Sequence, residues 1–331
     1  MKPHRVIWNI SRLCYWDCNF CCVDAYSVSW DESNIKISAN ELGEGIVKPK
    51  NSKEDPFTTA KKILQKTGQE LSLEQKLMIL NNIDVPAVID FSGGDPLLVP
   101  ENLLVMEEAA KILGRDNIVV TATGVGLAKV NLEELARHVG VVGFTYDHSS
   151  QNSPSRPDRY NHSNLEAIQR LSGLRVKTSA QLPISQDNLD KETIRKIYIN
   201  LKSAKIDEIH LMRALPAGRG QIVLHEGPTD AEYMEAAEAF KKMEREYGGP
   251  RLAIQTALRD PSPEIRESHA RNLFCSSYNI THKGILTISP WAYDQNGQPL
   301  NDFVLGDIKE NMFSELNKEG LRQEMEARIR K

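Results

Sequence analysis

The sequence predicts an α/β chain, a partial (β/α)6 barrel of the TIM type followed by a small α+β extension. Three observations carry this expectation. Short runs rich in β-branched and aromatic residues alternate with amphipathic stretches along most of the 331 residues, as in βαβ units on a parallel sheet. Right-handed crossovers curl such units into an open barrel with its functional loops at the carboxyl ends of the strands. After about residue 226 the alternation gives way to one helix, short β-like runs and a helical tail.

In chain order the predicted strands are Arg5–Ser11, Ala87–Gly93, Asn117–Gly124, Val141–His148, Val176–Ile184 and Glu208–Ala214. Between them lie amphipathic stretches at Glu101–Leu113, Asn131–His138, Asn164–Leu174 and Leu189–Ala204. Ser72 and Gln75 form a capping box ahead of Leu73, Leu77 and Leu80. Thr229 and Glu232 do the same ahead of the stripe Tyr233, Ala236, Phe240, Met243 and Tyr247, which Gly248-Gly249-Pro250 stops. These apolar stripes read as core packing. Residues 23–71 interrupt the pattern with polar patches at Trp30–Asn34 and Lys48–Ser52 and a helix at Pro56–Lys66. So long a connection is usually functional or mobile, and it is the candidate lid or substrate clamp. The runs Arg251–Ala257 and Gly284–Ser289 belong to the extension. The expected division is 1–225, carrying the 23–71 insertion, and 226–331.

Composition narrows the class. A content of 40% hydrophobic and 26% charged residues suits a globular chain with a substantial core. The net charge is −4 and no Lys/Arg stripe stands out, so no nucleic-acid partner is expected. No apolar run reaches the length of a membrane span. The start, MKPHRVIWNISRLC, lacks the apolar region and cleavage site of a secretory signal. The expected setting is cytoplasmic, without a membrane partner.

Of the five cysteines, Cys14, Cys18, Cys21 and Cys22 lie together and Cys275 stands alone. A disulfide framework would spread them, whereas clustering points to metal. The spacing Cys14-Tyr-Trp-Asp-Cys18-Asn-Phe-Cys21 directly follows the apolar run Val6–Ile10. Three thiolates so spaced can wrap one face of a cubane cluster and leave one iron open to a chelating ligand. Phe20 would shield the site and pack against an adenine. Zinc is the other reading, but it usually takes four ligands in paired spacing, and here only Cys22 stands as an awkward fourth. Cys22 otherwise reads as a small buried residue.

On these residues the chain resembles the radical S-adenosylmethionine (SAM) superfamily, whose CxxxCxΦC signature follows the first barrel strand. Cys14, Cys18 and Cys21 match it, with Phe20 at the aromatic position. The resemblance implies one [4Fe–4S] cluster whose open iron is chelated by the amino and carboxylate groups of SAM. One electron then cleaves SAM to methionine and a 5′-deoxyadenosyl radical, which removes a hydrogen atom from substrate. Phe91-Ser92-Gly93-Gly94-Asp95-Pro96 resembles the family's GGEP segment, with Asp95 where Glu is usual. Its glycines would let the backbone approach a ligand and its strand-end carbonyls receive the SAM ammonium group. By itself the segment is also a plain strand-to-helix turn. Ala122-Thr123-Gly124 stands in the place of a Thr-Asn-Gly strand end. Thr145-Tyr146-Asp147 resembles a Ser-x-Asp that contacts the ribose or carboxylate of SAM. Gln181, Met212 and Arg213 fall where SAM or substrate contacts are implied, although a polar strand-end residue is equally a cap.

The resemblance continues through Leu211–Gly220, then weakly into a C-terminal part like the SPASM or twitch extensions. That part keeps Cys275, Gly284 and Gly306-Asp307-Ile308, but has Ser289 where a cysteine is expected. One cysteine cannot hold an auxiliary cluster, so none is expected. A lone thiol can instead return a hydrogen atom, as in radical SAM epimerases, and Cys275 is the candidate donor beside a plain structural role. Asp147, His148 and Arg213 are candidates for proton handling. The implied substrate is a ribosomally made peptide or a small natural product. The alternatives are a carbohydrate or aminoglycoside epimerase or dehydrogenase and, from another class, a non-catalytic zinc or iron–sulfur module. With the cluster motif beginning at residue 14, a peptide is expected to bind through 23–71, the C-terminal region or a separate partner. The implied electron donor is a flavodoxin or ferredoxin.

Overall fold

The alternation folds as a mainly parallel sheet. The chain, seen here in a computed structural model, is described at residues 3–50, 53–148, 160–213, 217–220, 227–255 and 277–318, and at 320, 321, 323, 324 and 327. It begins with β1 (His4–Ser11), β2 (Leu13–Cys14), β3 (Tyr26–Trp30), β4 (Asn34–Ser38) and β5 (Ile46–Pro49), then α1 (Pro56–Lys66) and α2 (Leu73–Asn81). Next come β6 (Ala87–Gly93), α3 (Asn102–Leu113), β7 (Ile118–Ala122), α4 (Val125–Lys129), α5 (Leu132–His138) and β8 (Val141–Thr145). The barrel series closes with α6 (Tyr160–Gly173), β9 (Lys177–Ile184), α7 (Lys191–Ser203) and β10 (Glu208–Arg213). The remainder holds α8 (Asp230–Tyr247), β11 (Arg251–Ile254), β12 (Tyr278–Ile280), β13 (Ile285–Thr287), β14 (Val304–Asp307) and α9 (Phe313–Leu316).

Ten strands form the main sheet, in the order β11-β10-β9-β8-β7-β6-β1-β12-β13-β14. Neighbours from β11 through β12 are parallel, and the last two pairs are antiparallel. No ladder joins β11 to β14 among the described residues. Strands from beyond residue 226 thus extend both edges of the six-strand array, β11 beside β10 and β12 beside β1. No helix among the described residues is long and apolar enough to cross a membrane.

Period-two patterning explains which face does what. On β6, Ala87, Ile89 and Phe91 are buried against the helices while Asp90 and Ser92 face the interior half-buried. Ile118, Val120 and Ala122 on β7 repeat the pattern around Thr121, as do Ile209 and Leu211 on β10 around His210. Each fully buried aliphatic or aromatic side chain contributes about 1.5–3 kcal/mol. The helical side carries the stability and the interior face is left free for polar groups.

The 23–71 segment carries more structure than its sequence suggested. Strands β2 to β5 form a second, four-stranded sheet. Tyr26, Val28, Ile35 and Ile37 pack from it onto Phe57, Ala60 and Leu64 of α1. The polar run Trp30–Asn34 is a hairpin turn: the Asp31 Oδ1 accepts from the N–H groups of Ser33 and Asn34, both at 2.7 Å. Helix α1 has the predicted bounds, with Pro56 at its first position and the Asp55 carboxylate accepting from Phe57 N at 2.9 Å. The β2–β3 ladder pairs Cys14 with Ser27, so this small sheet is fastened to the cysteine segment.

Both predicted capping boxes form, at Ser72 and at Thr229. Thr229→Ala removes the one on α8 and is expected to lower unfolding stability by about 1 kcal/mol. A lower urea midpoint with an unchanged slope would show it.

Candidate active site

The cysteine loop leaves β1 and returns into β3. Cys14 and Cys18 are buried and Cys21 and Cys22 half-buried, with no disulfide among them. Cys14 Sγ accepts from Trp16 N at 3.4 Å, and Cys21 Sγ from Ala25 N at 3.3 Å. Burial, and then the neighbouring Cys18 and Asp95, push the Cys14 thiol well above its ordinary range. Such a thiol ionises when a metal takes up the charge.

The second strand end meets this loop through Gly93 and Gly94. Gly94 N donates to Ser11 O at 2.9 Å and Asp95 N to Leu13 O at 2.7 Å. A Cβ on Gly94 would overlap Leu13 O, and one on Gly93 would overlap Ser11 O. The close approach that makes glycine necessary is therefore to the cysteine strand itself. Asp95 turns its side chain away from the site. Its Oδ2 accepts from Thr123 Oγ1 at 2.7 Å and from Gly126 N at 2.9 Å, and its Oδ1 from Leu97 N at 3.1 Å. It fastens the third strand end to the second.

Cys14, Cys18, Cys21 and Cys22 border a cavity of about 300 Å³. Phe20 and Trp16 border it from the loop, and Ser92, Gly93, Gly94, Thr123, Thr145, Gln181, Met212 and Arg213 from the strands. Arg213 is held from behind by Asp230 of α8, at 2.8 Å, with its guanidinium over the Tyr233 ring. Asp147 and His148 do not line the cavity. Strand β8 ends at Thr145, and the chain turns so that Asp147 is buried with its carbonyl accepting from Asn188 Nδ2 at 2.9 Å. The candidate donor Cys275 lies outside the described residues.

Several lining residues were not singled out from the sequence. Asn9, Asp90, Thr121 and His210 reach the cavity from the barrel interior, and Trp291 from the C-terminal part. The inward positions of β6 and β10 were the available signal. Thr121 Oγ1 lies 2.9 and 3.1 Å from the two Asp90 carboxylate oxygens. Burial pushes that carboxyl up to about 6, against the Thr121 hydrogen bond. Burial also lowers the His210 imidazole, with Glu208 opposing. Ser289, where a ligand cysteine was expected, accepts from Trp291 N through its Oγ at 3.2 Å and so shapes the turn that presents Trp291.

Among the described residues, no three His, Cys, Asp or Glu side chains converge closely enough to hold a single metal ion. A zinc ion needs its sulfur ligands about 2.3 Å away on every side. Cys14, Cys18 and Cys21 border one cavity, and three thiols are a ligand set that suits a group of several metal atoms.

Neither a family model nor a curated protein sequence matches the chain. Solved structures do. It is similar to anSMEcpe with bound AdoMet and Cp18Cys peptide, at 13% identity and a TM-score of 0.61, over 100% of this chain and 84% of that one. It is similar to SuiB of Streptococcus suis bound to the precursor peptide SuiA, at 11% and 0.63, over 98% and 67%. It is also similar to the coproporphyrinogen III oxidase HemN of Escherichia coli, described as a radical SAM enzyme, at 10% and 0.51, over 85% and 63%. The fold is that of the radical SAM enzymes.

Two outcomes are expected. Gly94→Ala forces β6 off the cysteine segment, and a lowered melting temperature would register it. Asp90 binds its proton more tightly folded than unfolded, so its burial costs stability as pH rises from about 4 to about 6. Asp90→Asn should therefore stabilise the protein at pH 7 but not at pH 4, in paired denaturant titrations.

Proposed function

We propose that this chain is a radical SAM enzyme that abstracts a hydrogen atom from a peptide or a small natural product. The observation that carries the reading is that Cys14, Cys18 and Cys21 share one cavity with Gly93, Gly94, Thr123, Thr145 and Gln181. When bound, a [4Fe–4S] cluster with one iron left open by the protein supplies the electron that splits SAM into methionine and a 5′-deoxyadenosyl radical.

The chain's own residues do the holding and the excluding. Cys14, Cys18 and Cys21 would hold the metal group as thiolates, and Phe20, which borders the same cavity, would shield it. The backbone at Gly93 and Gly94 offers acceptors to the SAM amino group. Thr145 and Gln181 offer a hydroxyl and an amide to its ribose and carboxylate. Trp16, Phe20 and Trp291 form an apolar wall that limits water near a radical. Asp90 and His210 lie deeper, as an acceptor and a neutral imidazole for polar groups of a substrate. The peptide reading draws support from anSMEcpe and SuiB, whose structures carry peptides. The small sheet β2–β5 with α1 is the proposed substrate clamp, and a flavodoxin or ferredoxin the proposed electron donor. Cys275 is the proposed hydrogen donor for an inversion. Cys275→Ala would then keep 5′-deoxyadenosine formation and lose the inverted product.

Anaerobic reconstitution tests the reading. The expected product is a brown protein with about four irons, whose reduced spectrum shifts with SAM and which forms 5′-deoxyadenosine with dithionite. Alanine at Cys14, Cys18 or Cys21 should abolish this, while Cys22→Ala should retain it. A colourless zinc protein, or a cluster indifferent to SAM, would falsify the proposal.

A further inference from the structure

Arg219 lies almost two hundred residues from the cysteine loop in sequence and against it in space. Its backbone N–H donates to Cys21 O at 2.9 Å. Its Nε donates to Cys18 O at 3.0 Å, and Nη1 donates to Ala25 O at 3.1 Å. The same Nη1 pairs with Asp24, at 3.3 Å, and with Asp17, at 3.2 Å. Nη2 is buried and has no hydrogen-bond partner among the described residues. Gly218 makes the approach possible: it sits at φ +55°, and a Cβ there would lie 2.5 Å from Cys21 O.

We infer that Arg219 is a positioning residue that clamps the cysteine loop in its ligating shape and places a fixed positive charge behind it. The inference rests on the reading of Cys14, Cys18 and Cys21 as cluster ligands. Two features support it. The contacts fall on the carbonyls of two of the three ligand cysteines, so the peptide planes that aim those thiols are held from one point. A guanidinium is a rigid planar fork that cannot lose its charge, and it is only one-tenth exposed here. A positive charge held close to a cluster that gains an electron favours the reduced form, and charge beside a cluster is one of the factors that set its potential. The free N–H groups of Nη2 are consistent with this role, because a buried donor left unpaired is costly unless a partner arrives.

The two parts of the role separate in two variants. Arg219→Lys keeps the charge and loses the fork, whereas Arg219→Gln loses both. Wild type and variants are reconstituted anaerobically, then compared for iron release to a chelator and for cluster potential by redox titration followed by electron paramagnetic resonance. Both variants should release iron about ten-fold faster or more, the usual effect of losing a residue that orients ligands. Only Arg219→Gln should also shift the potential downward, with Arg219→Lys near wild type. A purely structural residue would change release and leave the potentials equal, which overturns the electrostatic part. Wild-type release rates in both variants overturn the clamp. If Arg219→Gln does not fold, as judged by circular dichroism, the Arg219→Lys release rate decides the clamp, and Arg219→Met, uncharged and of similar length, takes the place of Arg219→Gln in the redox titration and decides the charge. Failure of wild type to assemble any cluster is a separate result and overturns the proposed function instead.

Discussion

A carboxylate sealed from water, that of Asp24, is the constraint on which the cysteine loop depends. Its oxygens accept from the side chains of Arg12 and Arg219 and from the N–H groups of Asn40 and Glu41. Two guanidinium ions around one carboxylate leave an excess of positive charge. Glu41 offsets it on Arg12, at 2.7 Å, whereas Asp17, 69% exposed and screened by water, offsets it only in part on Arg219. Removing one member of such a buried set costs about 3–5 kcal/mol, because a stranded charge remains. Asp24 also holds a left-handed backbone, φ 49°, of the sort that costs about 1–3 kcal/mol and persists only when its surroundings over-determine it. The network fixes the loop's shape rather than adding much stability.

The same network ties remote parts of the chain to the loop. Arg12 stacks on Tyr26 and donates to Asn296 O in the C-terminal part. Lys283 pairs with Glu41 at 2.9 Å. Asn9 and Asn279 both donate to the Tyr293 hydroxyl, at 2.8 and 2.6 Å, which stitches β12 to β1 beneath the cavity. In the C-terminal region the Ser289 hydroxyl accepts from Trp291 N and holds a turn. That region serves the cavity as a wall and a brace.

How much of this the residues announced depends on the range over which the physics acts. The six barrel strands and their helices were legible because period two and period 3.6 are local patterns that burial enforces. The gathering of Cys14, Cys18 and Cys21 at one cavity was legible because their close spacing keeps them on one loop. The small sheet was not, since Trp30–Asn34 shows its polar turn more plainly than the short strands on either side. The Arg12–Asp24–Arg219 set was invisible for a different reason: its members meet only after the barrel has formed, and no spacing encodes the meeting. Asp95 and Asp147 were placed at a ligand by their position at strand ends, but hydrogen bonding to Thr123 and Gly126 took the first and the early end of β8 displaced the second. Asp90 was overlooked although its inward position on β6 was readable, because an acid inside a parallel barrel runs against the expectation of a packed interior.

That departure from a packed interior goes with a sheet whose two edge strands are joined by no ladder among the described residues. A closed eight-stranded barrel fills its centre with layers of branched side chains. Here the inward positions of the central strands carry Asp90, Thr121, Gly143, Gln181 and His210, and a Cβ on Gly143 would press on Gln181 and Thr121 at 3.2 Å. Small and polar residues at these positions keep the centre from filling, while the helices supply the buried area on the other face. The loss of core inside the barrel is tolerable only because the strand ends are fastened in other ways. Gly94 docks the second strand end on the cysteine segment, Asp95 the third on the second, and Asp24 closes the loop that crosses above them. Polar fastening at the rim is what allows a hollow centre.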